Sequence, residues 1–110
     1  MKGEITVNGK KLAICTNALL PKKYRHIFGR DLIQDIFKYR NAQKKGEILD
    51  SEVLENLTWL MLKEAGEDVG KTVDEWLASI DDYLALYEQF GIAYTLWGLG
   101  EKTTAKPKKK

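Results

Sequence analysis

Histidine and cysteine are almost missing from this chain of 110 residues, which carries one of each, His26 and Cys15. A lone cysteine excludes an intrachain disulfide and a thiolate zinc cluster, and Cys15 lies in an apolar, strand-like run that reads as a site for a buried structural thiol. Acid and base chemistry near neutral pH usually recruits histidine, yet His26 stands between Arg25 and Ile27 in a basic segment, with no carboxylate or cysteine near it in sequence to orient it. It reads as structural. A phosphate-cradling glycine loop, a metal-ligand spacing and a nucleophile elbow are also lacking. Asp81-Asp82 offers no acid–base pair, because adjacent residues on a helix point apart, and a helix start accounts for both. These absences argue against an enzyme, a cofactor or a metal centre. No stretch approaches the roughly 20 apolar residues that span a bilayer. The opening residues, MKGEITVNGKK, hold no run of signal-peptide length, so a cytoplasmic location is expected.

What is present suits one globular domain: 44% of residues are hydrophobic and 31% charged. The net charge of +2 conceals a strong segregation. Residues 1–45 carry eleven Lys and Arg against Glu4, Asp31 and Asp35, residues 46–101 carry thirteen acids against Lys63 and Lys71, and five lysines follow. Two readings stand: the halves neutralise one another within one domain, or the basic half of one subunit faces the acidic half of the next.

Glu4 to Cys15 alternates as a hairpin around Asn8-Gly9, a pair suited to the two positive-φ positions of a type I′ turn. A two-residue loop pairs Val7 with Lys10 and Ile5 with Leu12, which puts Ile5, Val7, Leu12 and Ile14 on one face. A hairpin alone is marginal, so that face needs helices or another chain, and the two open edges invite oligomerisation. A short helix follows from Pro21 to about 28, stopped by Gly29. A second, over 30–45, brings Leu32, Ile33, Ile36, Phe37 and Arg40 to helical spacing, with a basic polar side and Gly46 as its end. Asp50 or Ser51 caps a third that runs to Ala65 and is apolar nearly all round, the mark of a central buried helix. Thr72-Val73-Asp74-Glu75 fits a reciprocal capping box for a fourth.

Asp81-Asp82 starts a fifth helix, in which Tyr83, Tyr87, Phe90, Tyr94 and Trp97 form an aromatic stripe: a core seam, or a face offered to a partner. Gly91 within it suggests a kink or the close approach of another backbone. From Gly98 on, GLGEKTTAKPKKK lacks apolar anchors and reads as disordered. The expected fold is α+β, an N-terminal two-stranded hairpin and about five helices in one mainly helical domain over 1–99, with a lysine-rich tail over 100–110.

The segments TNALLPKKYRHIFGRDLIQDI, ENLTWLMLKEAG, VDEWLASIDDYLALYEQF and LWGL carry a resemblance covering most of residues 5–99. Its most specific elements are Tyr24-Arg25 with Phe28-Gly29-Arg30-Asp31, then Glu75-Trp76-Leu77, then Leu96-Trp97-Gly98. In these the chain resembles the tail assembly chaperones of long-tailed bacteriophages and prophages of Gram-positive bacteria. The resemblance implies a small α+β protein that binds the tape measure protein in the host cytoplasm, keeps it soluble, helps bring tail tube subunits to it and is absent from the finished virion. It supplies no catalytic residues. It also implies two products, the longer made by ribosomal frameshifting, and Lys108-Lys109-Lys110 fits either a slippery adenine run or a solubilising tail.

Candidate contact surfaces are the exposed side of the 30–45 helix, Trp59 with Leu62, and the hairpin edge. The candidate contact residues are Tyr24, Arg25, Phe28, Arg30, Phe37, Trp59, Leu62 and Trp97. Two other functions stand beside the chaperone: a structural head–tail or tail component kept in the virion, and a nucleic-acid-binding protein. The second would use Lys22, Lys23, Tyr24, Arg25, His26 and Arg30, against which the acidic half argues.

Overall fold

The computed structural model describes residues 1–47 and 50–105, with side chains through residue 98. Two strands, β1 (Lys2–Val7) and β2 (Lys10–Cys15), precede five helices: α1 (Leu20–Phe28), α2 (Leu32–Lys45), α3 (Ser51–Glu64), α4 (Val73–Ala78) and α5 (Tyr83–Ala105). The backbone of α5 is helical through Ala105, past Gly98 where the sequence reads as disordered, and residues 106–110 of the lysine-rich tail lie outside the described residues.

The hairpin takes the register its turn demands, with Val7 opposite Lys10 and Ile5 opposite Leu12. Asn8 and Gly9 sit at φ 52° and 77°, the left-handed pair that lets the strands twist without splaying. Ile5, Val7 and Ile14 are buried and Leu12 is half-buried, so one face of the hairpin belongs to the core. The core surface beneath it is helical: α5 runs along β1 and α3 along β2. Cys15 faces the other way from Ile14 and is half-buried, more open than its apolar neighbours suggest.

α3 is the central helix, with Val53, Leu54 and every residue from Asn56 to Leu62 buried. Its apolar girdle is surrounded by the hairpin, α1, α2, α4 and α5. The starts of α2 to α5 are capped by side chains, whereas α1 has none: Asp31 accepts from the Gln34 N–H, Asp50 from Glu52, Thr72 from Glu75 and Asp82 from Ala85. The capping box at α4 is only half built. Glu75 Oε1 accepts from the Lys71 N–H at 3.0 Å and not from Thr72, because the chain turns into the helix through Gly70, whose neighbourhood the carboxylate fills. At the joint between α1 and α2, Gly29 adopts φ 69° and its N–H donates to the Arg25 carbonyl at 2.8 Å.

The aromatic stripe on α5 is not one seam. The buried line runs through Leu86, Phe90 and Ala93, so Phe90 is the only stripe member fully in the core. Tyr94 and Trp97 are half-buried, whereas Tyr83 and Tyr87 are exposed and lean on Phe90 at ring-centroid distances of 6.2 and 5.8 Å. Gly91 is solvent-facing, and a Cβ there would meet nothing within 4 Å, so no neighbouring backbone explains it.

Candidate functional site

Three of the eight contact candidates are core residues. Tyr24, Trp59 and Leu62 are 0%, 2% and 0% exposed, so Trp59 with Leu62 forms no surface. The reason is the all-round apolarity of α3, which leaves neither side chain a solvent face. The Trp59 indole N–H donates to the Val69 carbonyl at 3.0 Å, tying α3 to the loop before α4. Phe28 and Trp97 are half-buried against the core, with the Phe28 ring 6.0 Å from that of Trp59.

Arg30 is occupied by a neighbour. Its guanidinium forks onto Asp35, Nε to Oδ2 at 2.8 Å and Nη2 to Oδ1 at 3.0 Å, while the Tyr24 hydroxyl donates to the same Oδ2 at 2.9 Å. Burial pushes the Asp35 carboxyl up, but the Arg30 fork, the Tyr24 bond and the charge of Lys38 outweigh it, so the group lies below the usual carboxylate value. Burial, then the Asp35 bond and charge, raise the Tyr24 phenol above the usual tyrosine value. This is a structural clasp at the α1–α2 joint, made from the Tyr24, Arg30 and Asp35 side chains within one short motif.

Arg25 and Phe37 remain on the surface. On the outer side of α2, Ile33 and Phe37 are 39% and 48% exposed, while Leu32 and Ile36 on its inner side are buried. The Arg40 guanidinium lies 6.0 Å from the Phe37 ring centroid and its Nε donates to the Tyr94 hydroxyl.

Sequence reasoning passed over a larger feature. Between α1 and α3 an open groove of about 590 Å³ has Leu19, Ile27 and Leu60 as its apolar lining and Lys22, Lys23, Arg25, His26 and Lys63 at its rim. Leu19 and Ile27 are 47% and 45% exposed. Lys23 is paired with Glu64 at 2.6 Å, an ion pair that joins the basic to the acidic half of the chain. Lys63 stands over the Trp59 ring at 5.1 Å. Among the described residues Lys22 and Arg25 make no ion pair. The signal was available, since Leu19, Lys23 and Ile27 are spaced at one helical turn each, but the lysines drew attention to phosphate. Within the same basic segment Tyr24 is buried, and Lys23 and Arg30 are paired to acids.

The hairpin edges are each covered at one point. On β1 the Thr6 N–H donates to Gln89 Oε1 of α5 at 2.8 Å, and on β2 the Ala13 N–H donates to Glu67 Oε2 at 2.7 Å. The turn is held as well, for Asn8 Nδ2 donates to the Ser79 carbonyl at 3.0 Å. No helix of the described residues is long and apolar enough to cross a membrane, and no group of three or more potential metal-binding side chains occurs among them. No protein-family model, curated protein or solved structure matches this chain.

Proposed function

We propose that this protein is a non-catalytic tail assembly chaperone of a bacteriophage or prophage, and that it holds the tape measure protein against the outer side of α2. The observation that carries the reading is Ile33 with Phe37, two large apolar side chains one helical turn apart and in water. A helix that has already buried Leu32 and Ile36 gains nothing within its own fold from a second apolar face, whereas an amphipathic helix of a partner can cover one. A long, helical, aggregation-prone tape measure protein presents such faces repeatedly, and a small binder in many copies keeps them from one another. The hairpin with five helices agrees with the α+β fold that the resemblance implies, and the motif Phe28-Gly29-Arg30-Asp31 is the joint that sets α2 against α1. Recruitment of tail tube subunits falls to a longer, frameshifted product, and the protein acts in the host cytoplasm.

The test is co-expression with the tape measure protein encoded beside it. Phe37→Ala and Ile33→Ser are expected to weaken capture at least about tenfold while circular dichroism and melting stay those of the parent. Unchanged capture by both variants removes the α2 face from the proposal. Mass spectrometry of purified virions separates the chaperone, which is expected to be missing, from a head–tail or tail component, which stays.

A further inference from the structure

We infer that the groove between α1 and α3 is a self-association site, and that its occupant is the start of α5 from a second copy of the chain. The groove asks for an apolar knob with an acidic rim. Its lining is Leu19, Ile27 and Leu60, and its unpaired rim cations are Lys22 and Arg25, with Lys63 beside them. The same molecule displays that knob elsewhere. Leu84, in the first turn of α5, is 73% exposed, the most exposed of the large apolar side chains described. Asp81, Asp82 and Glu88 surround it in sequence, all three exposed, with Glu88 one turn beyond Leu84 on the same side of the helix.

The two patches cannot meet within one chain. The start of α5 is fastened to the first half of α3 by the Tyr83 hydroxyl, which donates to Glu55 Oε2 at 2.7 Å, whereas the groove is lined by Leu60, Lys63 and Glu64 from the second half. Residues 55 and 60 are also about 140° apart around the helix, at 3.6 residues per turn. Complementary patches held apart on one subunit are satisfied by the next. Repetition of the contact gives a reciprocal dimer, a ring or a helical row, according to the rotation between copies. Burying Leu84 in the groove removes apolar surface from water on both sides, and the opposed rims set orientation and speed of encounter. This contact needs nothing from the tail-assembly reading, and it leaves the outer side of α2 free.

The experiment uses the full chain and two charge reversals on exposed positions, one of the groove (Lys22→Glu, Arg25→Glu, Lys63→Glu) and one of the knob (Asp81→Lys, Glu88→Lys), which keeps the Asp82 cap of α5. Sedimentation velocity and light scattering are expected to show wild-type oligomers that grow with concentration and fall apart as salt is raised. Each reversed variant alone should associate roughly tenfold more weakly or less. An equimolar mixture of the two should assemble again, since the acidic groove of one now meets the basic knob of the other. Leu84→Ser, a change at a solvent-facing position, is expected to weaken assembly at full charge and serves if a reversed variant does not fold. A wild type that stays monomeric at high concentration and low salt overturns the inference, including where an acidic amphipathic peptide from another protein binds the groove. So does wild-type assembly by either reversed variant, or a mixture that stays dissociated.

Discussion

Arg30 and Asp35 are joined by two parallel bonds of 2.8 and 3.0 Å across the start of α2, with the carboxylate 7% exposed and the arginine side chain 43% exposed. The acid is therefore the buried partner, and the arginine reaches in from solvent to meet it. Asp35→Ala strips two donors, Arg30 and Tyr24, of a common acceptor and should cost about 2–4 kcal/mol in urea unfolding. Arg30→Ala should cost less, because the pair is half in water and Tyr24 still holds the carboxylate. Equal losses from the two variants would contradict this division.

The same group makes stability fall in acid. Its folded value lies below the ordinary carboxylate value, so the unfolded chain takes up the proton first. The stabilisation is complete above the unfolded value of about 4 and is lost as pH drops through the lower folded value. Melting temperature measured from pH 5 to pH 2.5 should fall more steeply for the wild type than for Asp35→Asn. Parallel curves would show that the clasp contributes nothing to acid sensitivity.

Trp59 and Phe37 are both large aromatic residues on helices, and their alanine variants should behave oppositely. Trp59→Ala empties the middle of the core and frees the Val69 carbonyl, at a cost of about 3–5 kcal/mol. Phe37→Ala removes a half-exposed ring and should stay within about 0.5 kcal/mol of the parent. Urea titration of the two variants side by side measures the contrast.

At Gly29 the backbone sits at φ 69°, where a Cβ is strained although a built one would touch nothing within 4 Å. Gly29→Ala should therefore cost about 1 kcal/mol and Gly29→Asn less, since asparagine tolerates the left-handed region. A neutral alanine variant would mean that the α1–α2 joint relaxes without loss.

The edge bonds predict exchange behaviour. Gln89→Ala should speed hydrogen exchange at the Thr6 amide and leave Ala13 unchanged, while Glu67→Ala should do the reverse. Amide exchange followed by NMR resolves the two positions, and acceleration at both sites in either variant would mean that the hairpin opens as one unit.

These contrasts mark where the sequence was legible. Asn8-Gly9, the caps at Asp50 and Thr72 and the girdle of α3 are local patterns, and turn type, helix starts and centrality follow from neighbours within a few residues. The clasp was half visible: Tyr24, Arg30 and Asp31 stood out as a motif, but Asp35 entered only as a charge, since nothing local says that a carboxylate one turn into α2 will be the buried one. The edge bonds left no trace, because Thr6 and Gln89 are 83 residues apart and Ala13 and Glu67 are 54 apart. The α5 stripe misled because a spacing alternating between three and four fits two adjacent helix faces, and packing against the hairpin and α3 buries the one through Leu86, Phe90 and Ala93. Burial decided the contact candidates in the same way, sending Tyr24, Trp59 and Leu62 inward and leaving Arg25 and Phe37 outside.

The covering of β1 by Gln89 also sets an order of events in the cell. A ribosome adds about 5–20 residues per second, so several seconds separate the emergence of Thr6 from that of its acceptor. Throughout that interval the nascent hairpin has neither its edge bond nor α5 beneath its apolar face. The fifth helix is thus the one that completes the first element. Variants that slow or weaken the start of α5 should reveal themselves as lower yield from the cell before any change can be seen in the finished molecule.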